Sequence, residues 1–155
     1  MGTDIHMHRE VRDSNGSWRV MGDVYRFFNP LFEDSPEDFT GITCGGISRD
    51  YDLFGLLAGV RYNPDFVLCD CVGLPEDVSA EVGLSSEEWD SDGHSHGYAT
   101  LAELDAFKEM IRGKLFDEGK PFELDYFFEG WVDQKLRPWA WAGSGSVRIV
   151  FWFDN

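Results

Sequence analysis

The sequence predicts an α+β fold: a mainly antiparallel sheet, built from an N-terminal hairpin and C-terminal strands, packed with two main helices. Three observations carry this expectation. Polar and apolar residues alternate on both sides of Asp13-Ser14-Asn15-Gly16, apolar residues recur at three and four in two later segments, and the chain closes on an apolar run of period two.

The alternation from Asp4 to Val20 predicts a β-hairpin turning at Asp13 to Gly16. Its first strand should turn Ile5 and Met7 one way and Asp4, His6 and His8 the other, because strand side chains alternate. Residues 29 to 47 mix prolines, acids and glycines without a period and are expected to be a loop. Tyr51, Leu53, Phe54, Leu56, Leu57 and Val60 have helical spacing within Arg49 to Arg61, with Ser48 or Asp50 to cap the free amides. Phe66 to Val72 suits a short strand, Pro75 the first turn of a brief helical segment, and Ser85 with Glu88 a capping box before Trp89. Asp90 to Gly97 has no hydrophobic period and reads as a loop. Thr100 and Glu103 form a capping box for a helix carrying Leu101, Leu104, Phe107, Ile111 and Leu115. The aromatic segment Phe122 to Val132 follows, then Val147 to Phe153, a strand apolar on both faces and so expected at the centre of the sheet.

Length bounds the organisation: 155 residues favour one domain spanning 1–155. Aromatic residues make up 15%, far too much apolar surface for a disordered chain. Apolar runs reach about five residues where a bilayer span needs roughly 20. The first residues lack the blocks of a secretory signal, and His6 stands where a myristoylation motif wants Ser or Thr. A cytoplasmic protein with no membrane partner is expected. Cys44, Cys69 and Cys71 are an odd set, read as buried small hydrophobes before thiolate ligands.

The net charge is −16, and residues 31 to 90 hold fourteen acids against Arg49 and Arg61. Such a field repels nucleic-acid phosphates and favours a cation or a basic protein surface as partner, or serves solubility alone. Direct nucleic-acid binding is disfavoured.

All four histidines fall into two copies of Asp-x-His-x-His: Asp4-Ile5-His6-Met7-His8 and Asp92-Gly93-His94-Ser95-His96. Imidazole and carboxylate are ligands that a divalent metal, zinc or manganese, accepts, so Asp4, His6, His8, Asp92, His94 and His96 are candidate metal ligands. Without a metal, Asp4, His6 and His94 are candidate catalytic residues, two imidazoles serving as acid and base on a phosphoester beside an aspartate. The plain alternative is a set of surface histidines unrelated in space. Gly143-Ser144-Gly145-Ser146 precedes a strand and reads as a turn before a phosphate cradle. Trp139 and Trp141 could stack on a base or sugar, and Arg49, Arg61 and Arg148 read as ion-pair partners.

The blocks Met1-Gly2-x-Asp4-Ile5-His6, Arg49-x-Tyr51-x-Leu53-Phe54, Val60-Arg61, Gly73-Leu74-Pro75-x-Asp77-Val78-Ser79 and Asp92-Gly93-His94-Ser95 resemble a family of small bacteriophage-encoded proteins. That family has no established activity, so the resemblance implies a viral origin and action in the host cytoplasm rather than a chemistry. It also implies a core of Asp4, His6 and His94. Two functional expectations follow. One is a phage accessory hydrolase, or binder, of a phosphoester or nucleotide working through the His/Asp site. The other is an acidic counter-defence protein that inhibits a host protein or sequesters a signalling nucleotide without turnover.

Overall fold

The computed structural model describes residues 2–22, 24–26, 39–42, 47–62, 64–70, 72–114 and 124–155. Strands β1 (Asp4–Arg12) and β2 (Trp18–Met21) form the expected hairpin. Its turn is held by Asp13, whose Oδ1 accepts from the Asn15 and Ser17 amides, both at 2.9 Å, while Gly16 takes φ 82°, which a side chain would resist. A short antiparallel pair, β3 (Val24–Arg26) with β4 (Phe39–Ile42), forms a second small sheet. The segment expected as a loop over 29 to 47 therefore contains a strand, supported by pairing rather than by its own periodicity. Cys44 and the remainder of 29–46 lie outside the described residues.

The main sheet has strand order β2-β1-β6-β5, all antiparallel, with β5 spanning His94–Thr100 and β6 spanning Val147–Asp154. The closing strand is central, as its two apolar faces require: every residue from Val147 to Phe153 is buried. One face of the sheet, bearing Met7, Ile149, Phe151 and Phe153, packs against α1 (Tyr51–Ala58), α3 (Leu101–Ile111) and α4 (Tyr126–Leu136) in the main core. The other face, bearing Val150 and Trp152, packs against Val82 of α2 (Ala80–Glu87) and the preceding Leu74 and Val78.

Helix caps are legible to differing degrees. Asp50, not Ser48, caps α1, accepting from the Asp52 and Leu53 amides, and Gly59 at φ 69° ends it. The Thr100–Glu103 capping box opens α3 with both reciprocal bonds present, whereas Leu115 lies outside the described residues. The Ser85–Glu88 box does not form: Ser79 caps α2, and Ser85 sits buried inside the helix. Pro75 precedes a turn and not a helix.

Two further expectations are corrected, those for Phe66 to Val72 and for Asp90 to Gly97. Phe66 to Val72 is not a strand where it is described; the Leu68 and Cys69 amides instead donate to Leu56 and Leu57 carbonyls, satisfying the open end of α1. Within the aromatic segment Phe122 to Val132, residues from Tyr126 belong to α4, wound with π-type bonds and burying Phe127, Phe128, Trp131 and Val132. The polar run Asp90 to Gly97 is a short helical turn, Asp90–Asp92, followed by the start of strand β5. Its lack of hydrophobic period reflects a bulge, as described below.

Gly97 explains how β5 fits. A Cβ there would lie 2.7 Å from Phe151 Cζ and 3.0 Å from Cys69 Cβ, so only glycine permits this approach. Gly97→Ala is expected to overpack the sheet and lower stability by about 1–3 kcal/mol, read as an earlier urea midpoint. Cys69 is a free, buried thiol whose pKa burial pushes up to about 12, the inert state expected of a core cysteine. Cys71 lies outside the described residues. Among them, no helix is long and apolar enough to cross a membrane.

Candidate functional site

The sheet face carrying Asp4, His6, His8 and Glu10 is also the face of Asp154, Trp152, Val150 and Arg148, since these pair directly across β1 and β6. His6 lies opposite Trp152, and its Nε2 sits 2.9 Å from Asp154 Oδ2. The carboxylate can only accept, so Nε2 carries the hydrogen and the ring is held in one orientation. The His6 side chain is 24% exposed and also packs on Trp89, with ring centroids 4.2 Å apart. Asp4 is occupied elsewhere: both its oxygens accept from Arg49, at 2.6 and 2.8 Å. That pairing holds the Asp4 carboxyl below the usual carboxylate range.

His8 is 3% exposed, and among the described residues neither ring nitrogen has a hydrogen-bond partner. It packs against Trp152 at 4.9 Å, whose buried indole Nε1 likewise has no partner among the described residues. Burial, with a smaller contribution from the nearby His6, lowers the His8 pKa to about 4, so the ring is neutral at neutral pH.

The second histidine pair does not stay together. In a regular strand His94 and His96 would share a face, but the register slips between His94 and Gly97, and Ser95 adopts a left-handed φ of 53°. His94 consequently pairs with Phe153, on the main-core face, and its Nδ1 bonds its neighbour Ser95, while its buried Nε2 has no hydrogen-bond partner among the described residues. His96 turns to the opposite face, where its ring lies 5.8 Å from Trp152 and its Nε2 2.9 Å from Ser86 Oγ. Burial lowers the His96 pKa as well, favouring the neutral ring. Asp92 is exposed in the short turn before β5.

The structure thus gathers His6, His8 and His96 around Trp152, turns His94 to the other face of the sheet and commits the Asp4 carboxylate to Arg49. His6 and His96 each lie 5.8 Å from the Trp152 ring, so their separation cannot exceed twice that distance. Among the described residues no group of three or more His, Cys, Asp or Glu is placed to hold a metal ion. The reason is local: His6 Nε2 faces Asp154, His96 Nε2 faces Ser86, and the Asp4 oxygens face Arg49. These donors do not converge.

No family model, curated protein or solved structure matches the chain. The site therefore stands on its own geometry.

Beside His96 opens a cleft of about 570 Å³, lined by Gly73, Leu74, Ser86, Glu87, Asp90 and His96. Ser86 reaches it from the last turn of α2, and α2 is fixed by a buried network. Glu10 Oε2 accepts from the Ser79 amide at 2.7 Å, and its Oε1 from Arg148 Nε at 2.7 Å. Arg148 continues to Asp77 at 2.8 Å and stacks over Trp18, whose own Nε1 donates to Asp77. Arg148 is thus the ion-pair partner expected, as is Arg49, while Arg61 donates to Thr3 Oγ1.

Ser86, Asp154, Trp89 and Trp152 were absent from the sequence-level candidates. Asp154 becomes visible only with the β1–β6 register, and Ser86 only when α2 packs on the sheet. Trp139 and Trp141 are both exposed and pack on each other at 5.5 Å. Gly143 to Ser146 is a turn closed by the Ser146 amide and hydroxyl on the Gly143 carbonyl.

Proposed function

We propose that this protein is a phosphoester hydrolase, acting on a nucleotide-class substrate through the imidazoles on the Trp152 face. The observation that carries the reading is the His6–Asp154 pair: a part-exposed imidazole oriented by a carboxylate at 2.9 Å is the usual device for moving a proton in a transition state. His96 supplies a second imidazole on the same face, kept neutral by burial and therefore ready to accept a proton. Two imidazoles with different surroundings are what acid and base roles on one phosphoester require. His94, on the far face, takes no part in this scheme. If the chain is phage-encoded, the enzyme would work in the host cytoplasm.

The test is turnover of a panel of nucleotides and aryl phosphoesters by protein purified without a histidine tag. Wild type should convert excess substrate, and His6→Ala should lose about 10²–10⁴-fold, the range of a general acid–base group. His94→Ala should retain most activity. Equal activity of His6→Ala and wild type, or capture of one equivalent of nucleotide with no product, would sink the reading, the latter in favour of sequestration.

A further inference from the structure

Ser86 is a hydroxyl without an assigned role, within hydrogen-bond reach of His96 on the cleft lining. We propose that Ser86 is the attacking nucleophile of this site, activated by His96, and that the substrate is a phosphodiester. The inference rests on the hydrolase reading above and adds to it a covalent intermediate and a narrower substrate class.

Three observations converge. Ser86 Oγ lies 2.9 Å from His96 Nε2, the reach of a nucleophile–base pair. Both residues line one open cleft, although Ser86 is mostly buried. The backbone around the cleft is also strained: Asp90 has φ 44° and Ser95 φ 53°, two of the three non-glycine residues with positive φ among those described. Such strain collects at functional sites because surrounding structure must hold it in place. Here it serves to turn His96 toward Ser86, since the Ser95 bulge is what sends His96 to this face. Its lowered pKa keeps His96 unprotonated at neutral pH; with the ring hydrogen on Nδ1, Nε2 accepts the Ser86 hydroxyl hydrogen.

The cleft walls narrow the substrate. Glu87 and Asp90 place two carboxylates on its lining, which oppose the dianion of a terminal phosphate more than the single charge of a diester.

The step balances as follows. Ser86 Oγ bonds to phosphorus, the bond to the leaving oxygen breaks, and the Ser86 proton passes to His96 Nε2. The leaving alkoxide takes a proton from Nδ1 of His6, which enters the step as the imidazolium with its Nε2–H held by Asp154. In the second half His96 returns its proton to Ser86 Oγ as water, deprotonated by His6, attacks phosphorus and releases the serine. The enzyme ends unchanged and one water is consumed.

A fluorophosphonate reagent reproduces the first half with fluoride as leaving group, so it reads the nucleophile without knowledge of the natural substrate. Folded wild-type protein should gain one adduct by intact mass, mapped by peptide mass to Ser86. Urea-unfolded protein should gain none, and His96→Gln should label at least tenfold more slowly. Bis(p-nitrophenyl) phosphate should turn over faster than p-nitrophenyl phosphate, and Ser86→Ala should lose at least 100-fold. An adduct on another serine, or no adduct, would overturn the proposal. So would full diesterase activity in Ser86→Ala, although that result, with His6→Ala inactive, would leave the hydrolase reading standing. Preference for the monoester would overturn the substrate class alone, and absence of any turnover would sink the hydrolase reading itself.

Discussion

Arg148→Met is expected to destabilise the fold by about 3–5 kcal/mol, because it strands a buried carboxylate. Glu10 is 0% exposed and Arg148 4%, so water cannot replace the lost partner. Against a total stability of roughly 5–15 kcal/mol, a loss of this size would bring the protein close to unfolding at ambient temperature. The measurement is the urea midpoint with its slope, for Arg148→Met, Glu10→Leu and the double variant. The double variant should recover much of the single loss, because removing both charges removes the desolvation penalty with them. A cost below about 1 kcal/mol for Arg148→Met, within the range of an exposed pair, would show that the network is not buried in solution. Where the double variant stays folded, its α2 is no longer tethered through Ser79, so the Ser86–His96 contact should loosen and, on the proposed mechanism, turnover should fall.

The second large effect is one of pH. His8 binds a proton only near pH 4 in the folded chain, against about 6.5 when unfolded, because burial beside Trp152 opposes its charge. Between these values the unfolded state holds the extra proton, so stability rises with pH across this window. The contribution is fully present above pH 6.5 and is lost as pH falls through about 4. The difference between the two pKa values corresponds to about 3 kcal/mol. His8→Leu has nothing to protonate, and should therefore gain stability relative to wild type as pH falls from 7 to 4. Carboxylates that titrate in the same range act on both proteins and cancel in the difference. A wild-type-minus-variant difference independent of pH would show that His8 is solvated and free to protonate.

At neutral pH the same substitution should cost little, since it also removes two buried nitrogens that have no partner among the described residues. This separates His8 from the two proposed proton carriers: it belongs to the packing around Trp152, whereas His6 is part-exposed and His96 lines a cleft.

Much of the architecture was legible from the chain because it is local. The hairpin turn needed only Asp13 and Gly16, the α3 start only Thr100 and Glu103, and the central placement of β6 only its two apolar faces. Elements that failed were those supported by distant partners. Phe66 to Val72 has strand composition, but its amides are taken by α1 carbonyls. The start of β5 has the composition of a loop, but the free edge of β6 recruits it.

The site divides along the same line. The sequence by itself determined that four imidazoles lie in two short clusters, that Asp4, His6 and His8 share one face, and that the chain is strongly acidic. Only the tertiary structure decided which of them meet. The Ser95 bulge sends His94 to one side of the sheet and His96 to the other, and the antiparallel register brings Asp154 from the far end of the chain to His6. Spacing along a chain fixes side-chain direction only while the strand stays regular; once a residue is inserted, direction is set by the partner strand.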